Sequence, residues 1–175
     1  PKIAESVRHF FHEERNRKTI RHLREVGLDL TEKGASDKPG PRTGKSSTSV
    51  LLGKSLMELG KRVLLVDADL RRRSLSAWLG SESAAGLTTV LSGRVGDEAA
   101  ILNLPDLGFD FLPAGGKPGE RDPDLLANGK FREALSRWKQ KYDYVLLDSP
   151  PLLSVADARI LAGHADGTVM VLRSA

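Results

Sequence analysis

Gly40-Pro41-Arg42-Thr43-Gly44-Lys45-Ser46, followed at once by Ser47-Thr48-Ser49-Val50-Leu51-Leu52, sets the reading of this chain. A glycine-rich turn that runs straight into an apolar-patterned helix aims several backbone N–H groups, and the positive end of the helix dipole, at one point. Phosphate oxygens fit such a cradle, here expected from Gly40, Arg42, Thr43, Gly44, Lys45, Ser46 and Ser47. Lys45 is spaced to reach β- and γ-phosphates, and Ser46 to offer its hydroxyl to Mg²⁺. The usual pattern would put its first glycine at 39, where Pro39 stands, with Gly40 one step late. Both prolines lack an N–H but lie upstream of the cradling amides. A Gly-Lys-Ser tripeptide alone also arises by chance in flexible loops, so the flanking segments decide.

Downstream, Lys45–Leu59 reads as a helix with Val50, Leu51, Leu52, Leu56 and Met57 inward and Gly60 as its stop. Short continuous apolar runs follow at Val63–Val66, Phe109–Leu112, Tyr144–Leu147 and Thr168–Leu172, the pattern of strands buried on both faces. Helical stretches at Asp124–Lys141 and Ala156–Ala165 alternate with them. That alternation predicts βαβ units with right-handed crossovers. Two of the strands end in acids. Val63-Leu64-Leu65-Val66 leads into Asp67-Ala68-Asp69, and Val145-Leu146-Leu147 into Asp148. Residues two apart in a strand share a side, and open α/β sheets bind ligands beyond their carboxyl edge. Asp67 and Asp69, with Asp148 and Ser46, are therefore the expected Mg²⁺ set. A strand-ending Asp can also simply cap the next helix.

Upstream, Ile3, Val7, Phe10, Phe11, Ile20, Leu23 and Val26 fall at helical steps, and residues 31–44 are polar, Gly/Pro-rich loop. The fold class expected is α/β: a largely parallel β-sheet flanked by helices, a P-loop NTPase (Rossmann-like) with an N-terminal helical arm. The arm takes residues 1–30 and the nucleotide-binding domain 31–175.

The 175 residues suffice for one full-sized domain, and 39% hydrophobic with 29% charged residues is the balance of a water-soluble protein. No run approaches the roughly 18 apolar residues of a membrane span, and a cytoplasmic location is expected. Zero cysteines exclude disulfide frameworks and thiolate metal sites. The formal net charge of +4 comes with 23 acidic residues interleaved among the basic ones, so no nucleic-acid surface is expected. The start at Pro1, and the end at Ala175 just past an apolar run, are expected of a piece of a longer chain.

LLVDADLRR (64–72), YDYVLLDSPP (142–151), GLTTVLSG (86–93), FLPAG (111–115), DPDLLAN (122–128) and VADARILAGHADGTVMVLR (155–173) together resemble the bacterial tyrosine kinases of capsule and exopolysaccharide synthesis. The resemblance implies transfer of the γ-phosphoryl of Mg–ATP to a protein tyrosine in trans, usually within a ring of subunits. It implies Lys45 on phosphate, Ser46 on Mg²⁺, Asp148 holding the metal through water, and Asp67 or Asp69 taking the acceptor proton, with Asp67 preferred. Implied partners are ATP/ADP, a tyrosine-bearing protein, further copies of the chain, and a membrane-anchored activator or polysaccharide co-polymerase at the inner membrane face.

The chain also departs from that family. Arg42 stands where glycine is usual, Arg73 where proline is usual, and EKGASDKP (32–39) where an apolar strand normally leads into the loop. Glu5 and Arg8 match the family's assembly motif, but Phe11 replaces its second Arg. The two tyrosines, Tyr142 and Tyr144, flank a strand and read as core rather than phosphoacceptors. Two alternatives stay open: a degenerate nucleotide-binding scaffold, and an ATPase of the partition and division type.

Overall fold

Val63-Leu64-Leu65-Val66-Asp67 forms β1, buried at every position. Side chains alternate along a strand, so Leu64 and Val66 enter one core and Val63 and Leu65 the other. Both faces are covered by helices, which is why the run is apolar throughout instead of alternating with polar residues. The computed structural model describes residues 14, 44–81, 85–116, 125–151 and 157–171, and the following concerns these.

Helix α1 (Gly44–Glu58) precedes β1 (Val63–Asp67). After it come the short helices α2 (Ser74–Trp78), α3 (Leu87–Leu91) and α4 (Asp97–Ala100), then β2 (Leu102–Leu104) and β3 (Phe109–Leu112). Helix α5 (Gly129–Lys141), β4 (Tyr144–Asp148) and α6 (Asp157–His164) complete the described elements. The sheet order is β2-β3-β1-β4. β1 runs parallel to β3 and to β4, while β2 pairs antiparallel with β3. The sheet is thus mixed, parallel around β1 with one antiparallel edge.

On one face, Phe131, Ala134, Leu135 and Trp138 of α5 pack with α3, Leu64, Val66 and Leu112. On the other, Val50 and Leu56 of α1 pack with Leu75, Val63, Leu65, Phe109 and Phe111. Asn128 caps α5, its side-chain oxygen accepting from the Lys130 N–H. Gly60 ends α1 at φ 75, a backbone conformation glycine reaches without steric cost. Gly86 and Gly115 cross backbone to backbone. A Cβ on Gly86 would collide with the Pro113 carbonyl, and one on Gly115 would lie 2.6 Å from the Gly86 Cα. That contact lets the Leu87 and Thr88 N–H groups bond the Pro113 and Ala114 carbonyls at 2.8 and 2.9 Å. The start of α3 is thereby tied to the exit of β3.

Several expectations need correction. Leu51 does not face inward but is 61% exposed. The buried stripe of α1 is Ser46, Val50, Gly53 and Leu56, steps of three and four residues, and Leu51 lies about 100° round the helix from Val50. The expected strand at 168–172 is not one over its described part, 168–171, where Val169 is 41% exposed. Helix α5 begins at Gly129, five residues later than its apolar pattern suggested, because residues 125–127 form a turn ahead of the Asn128 cap. The three-residue β2 was not foreseen. The N-terminal arm, apart from the helical Glu14, and the segment preceding the loop lie outside the described residues.

Candidate active site

The parallel register sets the site. Asp67 and Asp148 end neighbouring strands and are register partners, so both carboxyl groups leave the same edge of the sheet side by side. The Ala68 N–H extends the ladder one step by bonding the Asp148 carbonyl at 2.9 Å. Helix α1 presents its first turn to this edge. The Ser46 hydroxyl donates to Asp148 Oδ2 at 2.7 Å, and the Ser49 hydroxyl to Asp148 Oδ1 at 2.9 Å. Ser46 and Ser49 are three residues apart on a helix, which puts both on one face.

Asp67 is fully buried. Its Oδ2 accepts from the Ser76 hydroxyl at 2.7 Å and the Ser76 N–H at 2.9 Å, and its Oδ1 from the Asp69 N–H at 3.2 Å. Asp69, also buried, accepts from the Arg72 N–H at 3.0 Å through Oδ1. A carboxyl cut off from water is harder to ionise. Burial pushes the Asp67 carboxyl up to about 6, against the hydrogen bonds from Ser76 and with a further push from Asp148. Burial likewise raises Asp148, opposed by the Ser46 and Ser49 hydroxyls and by the Lys45 charge, while Asp69 adds to the rise. Lys45, Asp67, Asp69 and Asp148 therefore share one electrostatic neighbourhood.

Ser47 lies in the first turn of α1 beside Ser46, half-buried. Gly44 is the first residue of that helix. Gly40, Arg42 and Thr43 lie outside the described residues. A cleft of about 180 Å³ opens next to Lys45, Thr48, Ser49, Asp148 and Ser149 and continues along the outer side of β4. Arg71 Nε donates to Asp157 Oδ2 at 3.1 Å, joining the loop after β1 to the start of α6. Arg73 takes φ 51, which a proline ring cannot adopt, and its guanidinium donates to the carbonyls of Leu70 and Gly116. The departure from proline at this position is therefore also a departure in backbone path.

The donors at this edge are hydroxyl and carboxylate oxygens, the hard ligands that suit Mg²⁺. The expected four-residue metal set does not close into a cage. Among the described residues no three His, Cys, Asp or Glu side chains converge on one point. The reason is local: Asp67 is turned to Ser76 and the Asp69 N–H. An incomplete oxygen set still fits Mg²⁺, which usually keeps several waters and takes substrate phosphate oxygens. Two members escaped the sequence reading. Ser49 was detectable as the residue one helical turn beyond Ser46, whereas Ser76, nine residues after Asp67, carries no spacing signal.

A model of the AAA domain family matches residues 36–174, most of the chain. The chain belongs to the AAA domain family. This AAA domain is 36% identical over 133 residues to the putative tyrosine-protein kinase AmsA of Erwinia amylovora, a match covering 76% of the chain and 18% of AmsA. The chain thus spans less than a fifth of that relative. Among solved structures, the kinase domain of the Escherichia coli tyrosine kinase ETK is similar at a TM-score of 0.65 and 29% identity, over 73% of this chain and 49% of that one. Cobyrinic acid a,c-diamide synthase from Mycobacterium smegmatis, solved with bound ADP and magnesium, is similar at a TM-score of 0.51 and 32% identity. That match covers 68% of this chain and 50% of the synthase. The AAA domain thus has the α/β nucleotide-binding fold expected from its sequence, and named relatives that are tyrosine kinases. No helix among its described residues is long and apolar enough to cross a membrane.

Proposed function

We propose that this domain binds Mg–ATP at the edge formed by α1, β1 and β4 and transfers the γ-phosphoryl group to a protein tyrosine in trans. The observation that carries the reading is the Ser46 hydroxyl donating to Asp148 Oδ2 at 2.7 Å at the start of α1. A hydroxyl whose proton is committed to a carboxylate turns its lone pairs outward, which suits it to ligate a cation. Lys45 precedes it and neutralises phosphate charge, while the N–H groups of the first helical turn, around Gly44 and Ser47, point at the anion. Gly40, Arg42 and Thr43 are assigned to phosphate binding by their place in the sequence motif. When bound, Mg²⁺ supplies charge neutralisation at the β- and γ-phosphates.

The chain's own groups then do the positioning. Asp148 orients Ser46, and an aspartate at the exit of β1 accepts the proton of the incoming hydroxyl. Phosphoryl transfer needs little more than such alignment and charge compensation. Neither Tyr142 nor Tyr144 suits the acceptor role. Tyr142 is half-buried and donates to Asp110 Oδ2 at 2.8 Å, and burial with that bond pushes its hydroxyl well above the ordinary tyrosine range. The acceptor is therefore a tyrosine other than these two, presented in trans. The sequence resemblance to the kinases of capsule and exopolysaccharide synthesis motivates that setting, with the domain cytoplasmic and held near the membrane by a partner.

Radiolabelled ATP, Mg²⁺ and a tyrosine-bearing acceptor test the reading. Phosphotyrosine that disappears with Lys45→Met is expected. Tight Mg–ATP binding without any transfer would instead mark a nucleotide-binding scaffold.

A further inference from the structure

Asp67 and Asp69 differ in what remains available on their oxygens. Three protein donors converge on Asp67, two on Oδ2 and one on Oδ1. The Ser76 hydroxyl among them is held in direction, because its oxygen accepts from the Ala114 N–H at 3.0 Å. With that lone pair engaged, its single proton goes to Asp67. Ser76 therefore clasps the end of β1 to the exit of β3, and Asp67 is the knot. Asp69 is 5% exposed and its Oδ1 takes one N–H, from Arg72. No donor reaches its Oδ2 among the described residues. Asp69 Oδ2 is not among the sealed, unpartnered polar atoms of the described residues, so it borders accessible space and is open to a hydrogen-bond donor or a cation.

We propose that Ser76 is a positioning residue that confines Asp67 to a structural role and leaves Asp69 as the acid that meets the reaction. The proposal rests on the phosphoryl-transfer reading above. In the step assigned to it, Asp69 Oδ2 takes the proton of the acceptor hydroxyl as that oxygen bonds the γ-phosphorus. The bond from the γ-phosphorus to the bridging oxygen breaks, its electron pair leaves with ADP, and the proton later passes from Asp69 to solvent. This reverses the preference for Asp67 drawn from the sequence.

The test uses the 175-residue chain with Mg–ATP and a glutamate–tyrosine copolymer as acceptor. Asp69→Asn is expected to lower kcat by about 100-fold or more, the scale of a lost general base, with KM for ATP within about threefold. Asp67→Asn is expected to keep kcat within about tenfold. Ser76→Ala lowers kcat severalfold at unchanged KM, and Ser76→Thr, which keeps the hydroxyl, restores it. A 100-fold loss in Asp67→Asn beside a fivefold loss in Asp69→Asn, both folded by circular dichroism, overturns the assignment and leaves the transfer reading intact.

A second arm needs no variant to be active. In wild-type chain carrying ¹³C-carboxyl aspartate, Mg–ADP is expected to move the Asp69 resonance further than that of Asp67. A still Asp69 resonance overturns the assignment whatever the kinetics. An Asp69 response without any transfer to the copolymer defeats the kinase reading and keeps Asp69 as the ligand-facing acid.

Discussion

Where the strands begin, Asp143 lies 2.9 Å from the Arg62 guanidinium, and Asp110 accepts from the Tyr142 hydroxyl and the Asn103 amide. Where β1 and β4 finish, Asp67 and Asp148 sit buried with hydroxyl and N–H partners only. The same residue type is thus held on opposite sides of its ordinary pKa: the Arg62 hydrogen bond brings Asp143 down to about 2, while burial lifts Asp67 to about 6. One end of the sheet is electrostatically complete. The other carries acids that a cation would relieve, and an acid deprived of water without a counter-charge is a cost to folding. A cost retained at one end only is what a binding site predicts.

Four measurements would break or sharpen that contrast. Lys45→Met should weaken Mg–ATP binding by about 100-fold or more in calorimetry, from the loss of a charge-assisted phosphate contact. Arg62→Met, at the other end, should leave it within about twofold. Equal losses in the two variants would erase the distinction between the ends.

Next comes stability against pH without Mg²⁺. The folded Asp67 holds its proton to about 6, the unfolded one only to 3.8. The stability this provides is full below 3.8 and is lost as pH rises through about 6. Asp67→Asn should accordingly flatten the metal-free stability profile, removing a loss of about 2–3 kcal/mol otherwise expected between pH 4 and pH 7. Urea midpoints across that range would expose a flat difference, which would contradict the buried-acid account.

A smaller effect is expected at Ser49, whose hydroxyl is one of two on Asp148. Ser49→Ala should cost about 1 kcal/mol in urea unfolding, the usual worth of such a bond. No change would mean that Ser46 alone holds the carboxylate. Smallest of all, Asp143→Asn should move the thermal midpoint at pH 7 by no more than about 2 °C, since exposed pairs contribute little. Lowering pH should not reproduce the change until it nears about 2.

Much of this could be read in the sequence because the signals were periodic. Val63–Val66, Phe109–Leu112 and Tyr144–Leu147 each lie within an observed strand, since runs buried on two faces must be apolar throughout. The juxtaposition of Ser46 with Asp148 followed from a helix start and a strand end meeting at one sheet edge. The rest depended on contacts that leave no local trace. Ser76 reaches Asp67 across nine residues, and Ala114 reaches Ser76 across 38. Leu51 is apolar yet exposed, so hydrophobicity misplaced it where helix geometry would not have. The run at 168–171 is composed like a strand but lacks strand structure, and composition cannot supply the neighbour a strand must bond.

The pairing of Asp67 opposite Asp148 also limits how the chain can vary in length. Because side chains alternate along a strand, one residue added to or removed from β1 or β4 would turn one carboxyl to the far face while the other stayed. Insertions should therefore be tolerated in the turns between Leu91 and Asp97, and be disabling anywhere within Val63–Asp67 or Tyr144–Asp148. Strand length, more than the identity of the apolar residues between, is what a redesign of this domain would have to leave untouched.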